Sequence, residues 1–197
     1  MDQSFDVLIN GYVDNKIGID LSFLNLKLTE GLRQNIKQLQ HDNLMVTGGT
    51  GNEAVRDVST LMRGDSIYWM DSKHDNIFEQ EFLHHVDKFV EYLNRSCYTG
   101  INAHEFHYAV YETGCFYKRH KDQFRNDSNR KFSLINYLNE DWKEADGGDL
   151  LVYPDEGMTR IRPSNQTAVF FKSDELEHEV SVAHRSRMSI TGWLKRV

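Results

Sequence analysis

The chain has 197 residues, 39% of them hydrophobic and 27% charged, with a formal net charge of −7. That length and composition fit one domain with a substantial core, and the acidic balance argues against a dedicated nucleic-acid binder. No apolar run approaches the ~18 residues of a membrane span, nothing reads as a secretory leader, and Cys97 and Cys115 are expected to stay reduced, so the expectation is a cytoplasmic protein, with a monomer favoured.

The helical signals come first. Leu28, Leu32, Ile36 and Leu39 recur at spacings of three and four, predicting a helix from about Thr29 to Gln40, with Thr29 as its cap. Val46–Asp75 holds Gly48, Gly49, Gly51 and several charges, too polar for a core, and reads as a loop. No GKS or GKT follows those glycines, so they are not a phosphate loop. Ile77, Phe78, Phe82, Val86, Phe89, Val90 and Leu93 then form one apolar stripe on a long helix. His84 and His85 sit on that helix, where solvent or core packing is their expected role.

From His104 onward the period becomes two. Phe106, Tyr108 and Val110 alternate with polar neighbours. Further strands are predicted at Cys115–Arg119, Lys131–Leu138, Asp149–Tyr153, Thr167–Phe171, Glu179–Ala183 and Met188–Leu194. Turns fall at Asp146–Gly148 and Pro154–Gly157. Many short strands with no helix between them imply antiparallel sheets, and a double-sheet jelly roll fits that pattern. The expected organisation is a single domain over residues 1–197. Helical support fills about 1–95, and a mostly β core fills about 104–197.

His120 and Asp122 are two apart, so a strand puts both side chains on one face. His178 lies 58 positions later and Arg187 nine beyond that. A lone histidine is usually a surface or core residue, the chain has nine, and His-x-Asp alone is common by chance. The full set is more telling. Two imidazoles and a carboxylate hold a ferrous ion on one face and leave the other open to chemistry. The fork of an arginine suits a carboxylate. Together they point to an iron oxygenase that consumes a 2-oxo acid. Zinc accepts the same ligands, so a hydrolase stays open on the ligands alone. The arginine favours iron, because a hydrolytic site needs no clamp for a second substrate. A jelly-roll module that binds without turnover is the reading from a different class.

Several stretches carry a resemblance. They are RGDSIYW at Arg63–Trp69, YETGCFYKRHKD at Tyr111–Asp122, YLNEDW at Tyr137–Trp142 and GGDLLVYP at Gly147–Pro154. To these add FFKSDELEHEV and RMSITGW within Phe170–Trp193. From about Gly11 to Trp193 the chain resembles the prolyl 4-hydroxylase group of iron- and 2-oxoglutarate-dependent dioxygenases. Within that group it resembles the bacterial relatives of the oxygen-sensing prolyl hydroxylases. The resemblance implies a double-stranded β-helix, a cupin-like jelly roll, braced by N-terminal helices.

The same resemblance implies roles. His120, Asp122 and His178 match iron ligands and carry the catalysis. Arg187 matches the partner of the distal carboxylate of 2-oxoglutarate, and Tyr137 reaches that carboxylate too. Tyr111 matches a tyrosine near the other end of the cosubstrate. Thr191 and Trp193 line the pocket, and Arg63, Asp65 and Trp69 match a segment bordering the substrate. Simple packing for Tyr111 and Trp193, and a local ion pair for Arg63 and Asp65, are the plainer readings. The implied cofactors are Fe(II), 2-oxoglutarate and O2, with L-ascorbate as an accessory. The implied partner is a proline-containing protein or peptide, with no nucleic acid and no membrane. Hydroxylation of another residue, a free amino acid or a small metabolite is the alternative chemistry. The basic segment Asp122–Arg130 and the Val46–Asp57 loop depart from the pattern, which leaves the target's identity open.

Overall fold

The computed structural model describes residues 2–49, 62–123, 128–155 and 157–197. The predicted loop's centre, the middle of the basic Asp122–Arg130 segment, and Glu156 of the Pro154–Gly157 turn fall outside those residues.

Three helices precede most of the sheet: α1 (Asp2–Asn15), α2 (Leu26–His41) and α3 (Ile77–Cys97). Helix α1 was not anticipated. Phe5, Leu8 and Ile9 nevertheless give it a buried stripe. The predicted cap of α2 is corrected: Asn25 caps it, its side chain accepting from the Leu28 amide at 2.8 Å. Thr29 instead lies buried in the first turn, its hydroxyl donating to the Asn25 carbonyl at 2.7 Å. Asn76 caps α3 in the same way, accepting from the Phe78 and Glu79 amides.

The strands are β1 (Ile17–Asp20), β2 (Val46–Thr47), β3 (Asp65–Trp69), β4 (Ala103–Tyr111), β5 (Tyr117–His120), β6 (Arg130–Tyr137), β7 (Leu150–Tyr153), β8 (Thr159–Ile161), β9 (Ala168–Lys172), β10 (Glu177–Val180) and β11 (Arg187–Lys195). They form a seven-stranded sheet in the order β1-β9-β6-β11-β4-β3-β2 and a four-stranded sheet in the order β5-β10-β7-β8. Among the described residues the pairings within both sheets are antiparallel. This is the double-stranded β-helix with N-terminal helices.

Two corrections follow. The segment read as a polar loop contains β2 and β3, and residues 17–20 supply an edge strand of the larger sheet. The N-terminal half is thus more than helical bracing. Strand β8 was also missed, and the remaining predicted strands are found with ends shifted by up to three residues.

The larger sheet separates two apolar layers. Its outer face meets the helices through Phe106, Tyr108, Leu134, Phe170 and Ile190, among others. Its inner face carries Ala109, Ile135, Tyr137, Val169 and Phe171 toward the smaller sheet. Alternation along each strand sends neighbours such as Phe170 and Phe171 to opposite layers. Helix α1 lies so close to β1 that a Cβ on Gly18 would stand 1.9 Å from the Leu8 carbonyl oxygen. Among the described residues no helix is long and apolar enough to cross a membrane. Substituting Gly18→Ala should destabilise the fold by about 3 kcal/mol, read as a lower urea midpoint with an unchanged m-value.

Candidate active site

The barrel encloses a cavity of about 790 Å³ whose lining includes His120, Asp122, His178, Arg187, Thr191 and Trp193. Antiparallel pairing of β10 with β5 sets His178 directly opposite His120. Asp122 follows just past the end of β5. Each of its nearest approaches is 3.6 Å, from Oδ1 to Nε2 of His120 and of His178. One ligand atom from each residue lies within 4.8 Å of the other two. Donors held about 2.1 Å from one ion stand roughly 3.0–3.4 Å apart, so a small inward movement closes the set.

The surroundings leave the right lone pairs available. His120 Nδ1 lies 2.7 Å from the Lys118 carbonyl oxygen, and His178 Nδ1 lies 3.3 Å from that of Leu176. A ring nitrogen facing a carbonyl must carry the proton, which turns both Nε2 lone pairs toward the gap. Asp122 Oδ2 accepts from the Ser133 hydroxyl at 2.6 Å, leaving Oδ1 for an ion. Burial pushes the Asp122 carboxyl up, but the two imidazoles outweigh it and hold it well below the usual carboxylate range. Burial likewise lowers His178, and Asp122 more than reverses that, so His178 titrates above its ordinary value.

A second chain of contacts fixes His120. Tyr117 stacks on its ring at 3.6 Å between centroids. Arg63 places its guanidinium carbon 4.5 Å from the Tyr117 ring centroid. Arg63 donates through Nε and Nη2 to both oxygens of Asp65. Asp65 is buried by that pair and is not part of the cavity wall, whereas Arg63 and Trp69 are.

Arg187 begins β11 and is 2% exposed. Its guanidinium carbon lies 5.0 Å from the Tyr111 ring centroid and 4.9 Å from that of Tyr137. Nε donates to the Gly148 carbonyl at 2.7 Å. The only other hydrogen bond it makes among the described residues is a long one to Ser189 Oγ, 3.5 Å; it has no carboxylate partner there. Gly148 has φ +64°, and a Cβ there would meet Arg187 Cδ at 2.9 Å. A side chain at 148 would therefore be strained and would crowd the arginine. Tyr137 Oη is buried, with no hydrogen-bond partner among the described residues.

This arrangement fits the cofactors that the spacing suggested. Two histidines and a carboxylate with free Nε2 and Oδ1 atoms suit ferrous iron with open positions. A buried cation and an orphaned phenol together suit a carboxylate, and a structural zinc site has no use for either. The structure brings His120, Asp122, His178, Arg187, Tyr111, Thr191, Trp193, Arg63 and Trp69 to one cavity. Tyr137 stands behind Arg187, and Asp65 stands behind Arg63. Ser133, Tyr117 and His107 were not singled out from sequence. Ser133 lies on the inward phase of a predicted strand, and Tyr117 lies inside the YETGCFYKRHKD stretch. Cys97 and Cys115 are free.

Comparison with known proteins points the same way. The family model for the 2OG-Fe(II) oxygenase superfamily matches residues 106–195. Egl nine homolog 1 of Homo sapiens is 30% identical over 193 residues, covering 91% of this chain and 44% of the relative. The chain spans about half the length of the curated relatives it matches. A Pseudomonas putida prolyl-4-hydroxylase structure superposes with TM-score 0.88 at 29% identity, covering 98% of this chain and 99% of that one. A Trichoplax adhaerens prolyl hydroxylase, solved with a hypoxia inducible factor oxygen degradation domain peptide fragment, also gives 0.88, at 27% identity over 99% and 90%. Over most of its length the chain is thus similar to prolyl hydroxylases, and over residues 106–195 to the 2OG-Fe(II) oxygenase superfamily.

Two outcomes test the metal centre. Ser133→Ala should weaken Mn(II) affinity roughly tenfold or more, since an unrestrained carboxylate loses orientation; calorimetry reads this directly. The ion must also displace the His178 proton. Because that pKa is raised, affinity should fall as pH drops through it and level off above it. Titrations between about pH 5.5 and 8 check the sign.

Proposed function

We propose that this chain is an Fe(II)- and 2-oxoglutarate-dependent hydroxylase acting at C4 of a prolyl residue in a protein substrate. In the overall reaction 2-oxoglutarate, O2 and the substrate C–H bond become succinate, CO2 and C–OH. The observation that carries the reading is the buried Arg187 guanidinium, without a carboxylate partner, opening onto the cavity that holds the three metal-type donors. The family likeness to prolyl hydroxylases, one of them solved with a peptide, supports prolyl as the target. A cytosolic location accords with the two free cysteines.

His120, Asp122 and His178 hold the iron in this reading. Bound ferrous iron supplies the redox chemistry that couples oxidative decarboxylation of the 2-oxo acid by O2 to hydroxylation. The protein's work is orientation. Arg187 and Tyr137 take the distal carboxylate of 2-oxoglutarate, which would be very costly to bury unpaired. Tyr111 and Thr191 shape the slot between that end and the metal. Ser133 holds the Asp122 carboxylate, and Tyr117, backed by Arg63 and Asp65, holds the His120 ring. Trp69 and Arg63 border the opening where a peptide would lie.

The deciding experiment incubates proteins of a cell extract with the Fe(II)-loaded enzyme, 2-oxoglutarate and ascorbate, followed by peptide mass spectrometry. A gain of one oxygen on a proline, dependent on 2-oxoglutarate, is expected. Oxygen gained only on another residue or on a free amino acid supports the alternative hydroxylases. No succinate under any condition supports a binding module. Arg187→Ala should raise the KM for 2-oxoglutarate at least about 30-fold, the cost of removing one partner of a buried charge pair. An unchanged KM would overturn the clamp.

A further inference from the structure

One wall of the cavity carries polar atoms that neither the metal nor the 2-oxoglutarate slot uses. His107 is 3% exposed and its Nδ1 is buried with no hydrogen-bond partner among the described residues. Trp193 Nε1 is buried and unpartnered as well. Both residues line the cavity. Their ring centroids are 5.4 Å apart and their planes differ by 33°. Two N–H donors of about 2.9 Å reach can span roughly 6 Å around one shared oxygen. Trp69 closes the other side of His107 at 4.9 Å.

Register places this wall on the side of the opening. Thr191 pairs with His107, and His107 with Trp69. Trp69 is 45% exposed, so it marks the outer edge of the cavity. Arg187 lies at the opposite end of β11, four residues before Thr191 and six before Trp193. That is about 13 and 20 Å along an extended strand. Both side chains therefore meet whatever enters from solvent, with their orphan nitrogens just beneath the cavity surface. Trp193 pairs with Ser133, the residue holding Asp122, so the entering group lies beside the metal ligands.

A buried donor left without a partner is costly, and such groups in a native protein call for a ligand. The indole can only donate. Burial pushes the His107 imidazole down to about 4, so at neutral pH it is an uncharged ring that suits a neutral partner. The Arg130 guanidinium that stacks on Trp193 at 3.4 Å is already paired with Glu105, so a carboxylate would gain little there.

We propose that His107 is a specificity-determining residue: its Nδ1–H, with the Trp193 Nε1–H, donates to the backbone carbonyl oxygen of the target residue, so that the site reads a peptide bond and discriminates against free amino acids. The inference rests on the hydroxylase reading above and deepens it. It requires a proton on Nδ1, which an amide at the same place would mimic. The Asn side-chain nitrogen falls near the position of Nδ1, while Leu keeps much of the bulk without a donor.

The test uses the Fe(II)-loaded enzyme with 2-oxoglutarate and two probes. One is a pool of capped pentapeptides with central proline and varied flanks, and the other is free L-proline. Melting temperature and Mn(II) affinity confirm that each variant is folded. Wild type should add oxygen to peptides in preference to free proline. His107→Leu should raise peptide KM at least tenfold with a smaller change in kcat, and His107→Asn should recover most of that loss. A wild-type KM in His107→Leu, no rescue by His107→Asn, or preference for free proline overturns the inference. If wild type oxidises neither probe, the prolyl reading falls. Equilibrium binding of the same pool to the Mn(II)- and 2-oxoglutarate-loaded proteins then decides on His107. Retention by wild type and loss in His107→Leu supports it, and equal retention, including none, overturns it.

Discussion

An arginine held between two tyrosine rings, with no carboxylate in salt-bridge reach among the described residues, constrains the rest of this barrel. Arg187 is sealed in the interior with its Nε on one backbone carbonyl. A guanidinium in such a place is expensive unless something negative joins it. Packing alone does not explain the arrangement, since an apolar residue of similar size would fill the space at lower cost. The glycine at 148, the phenol of Tyr137 and the opening toward the metal donors all become intelligible once an acid is placed there. Binding of such an acid offsets the cost of the buried charge, which links ligand affinity to fold stability.

The metal centre has a different economy. Its three donors come from the smaller sheet and the turn after β5, yet their alignment depends on the larger one. Cross-strand pairing sets His120 against His178. Ser133 reaches over from β6 to hold Asp122, and Phe171 of β9 packs edge-on against the His178 ring at 4.9 Å. Neither sheet alone would fix the donors; the site exists because the two faces close on each other. Donor geometry therefore tracks barrel closure.

Much of this was legible in the sequence because ligand chemistry is selective about residue type. His120, Asp122, His178 and Arg187 stand out by kind and spacing, and the alternation after His104 announces antiparallel strands. Other parts were hidden for physical reasons. Strand β3 was hidden in the segment read as a polar loop, because Asp65 at its start and Arg63 just before it neutralise each other, and a count of local polarity does not discount paired charges. Helix α1 carries Asp6, Asn10 and Asp14 on its outer side and Gly11 where it packs on β1, which dilutes its apolar stripe. Asn25 and Thr29 are both cap-type residues, and only backbone geometry tells which one begins α2. His107 sits among Phe106, Tyr108 and other core-forming neighbours, so nothing in its local pattern distinguishes it from a packed ring.

Strand β1 contributes nothing to the chemistry, yet it covers one margin of the larger sheet. It pairs along β9 from Ile17 opposite Phe171 to Asp20 opposite Ala168. Peeling it away would bare a run of Ala168, Val169, Phe170 and Phe171 with its amides and carbonyls unsatisfied, a surface that recruits strands from other molecules. The first twenty residues thus act as a guard against intermolecular pairing. Loss of that guard would first show as oligomers exchanging the β1 segment, before any dioxygenase-type donor had moved.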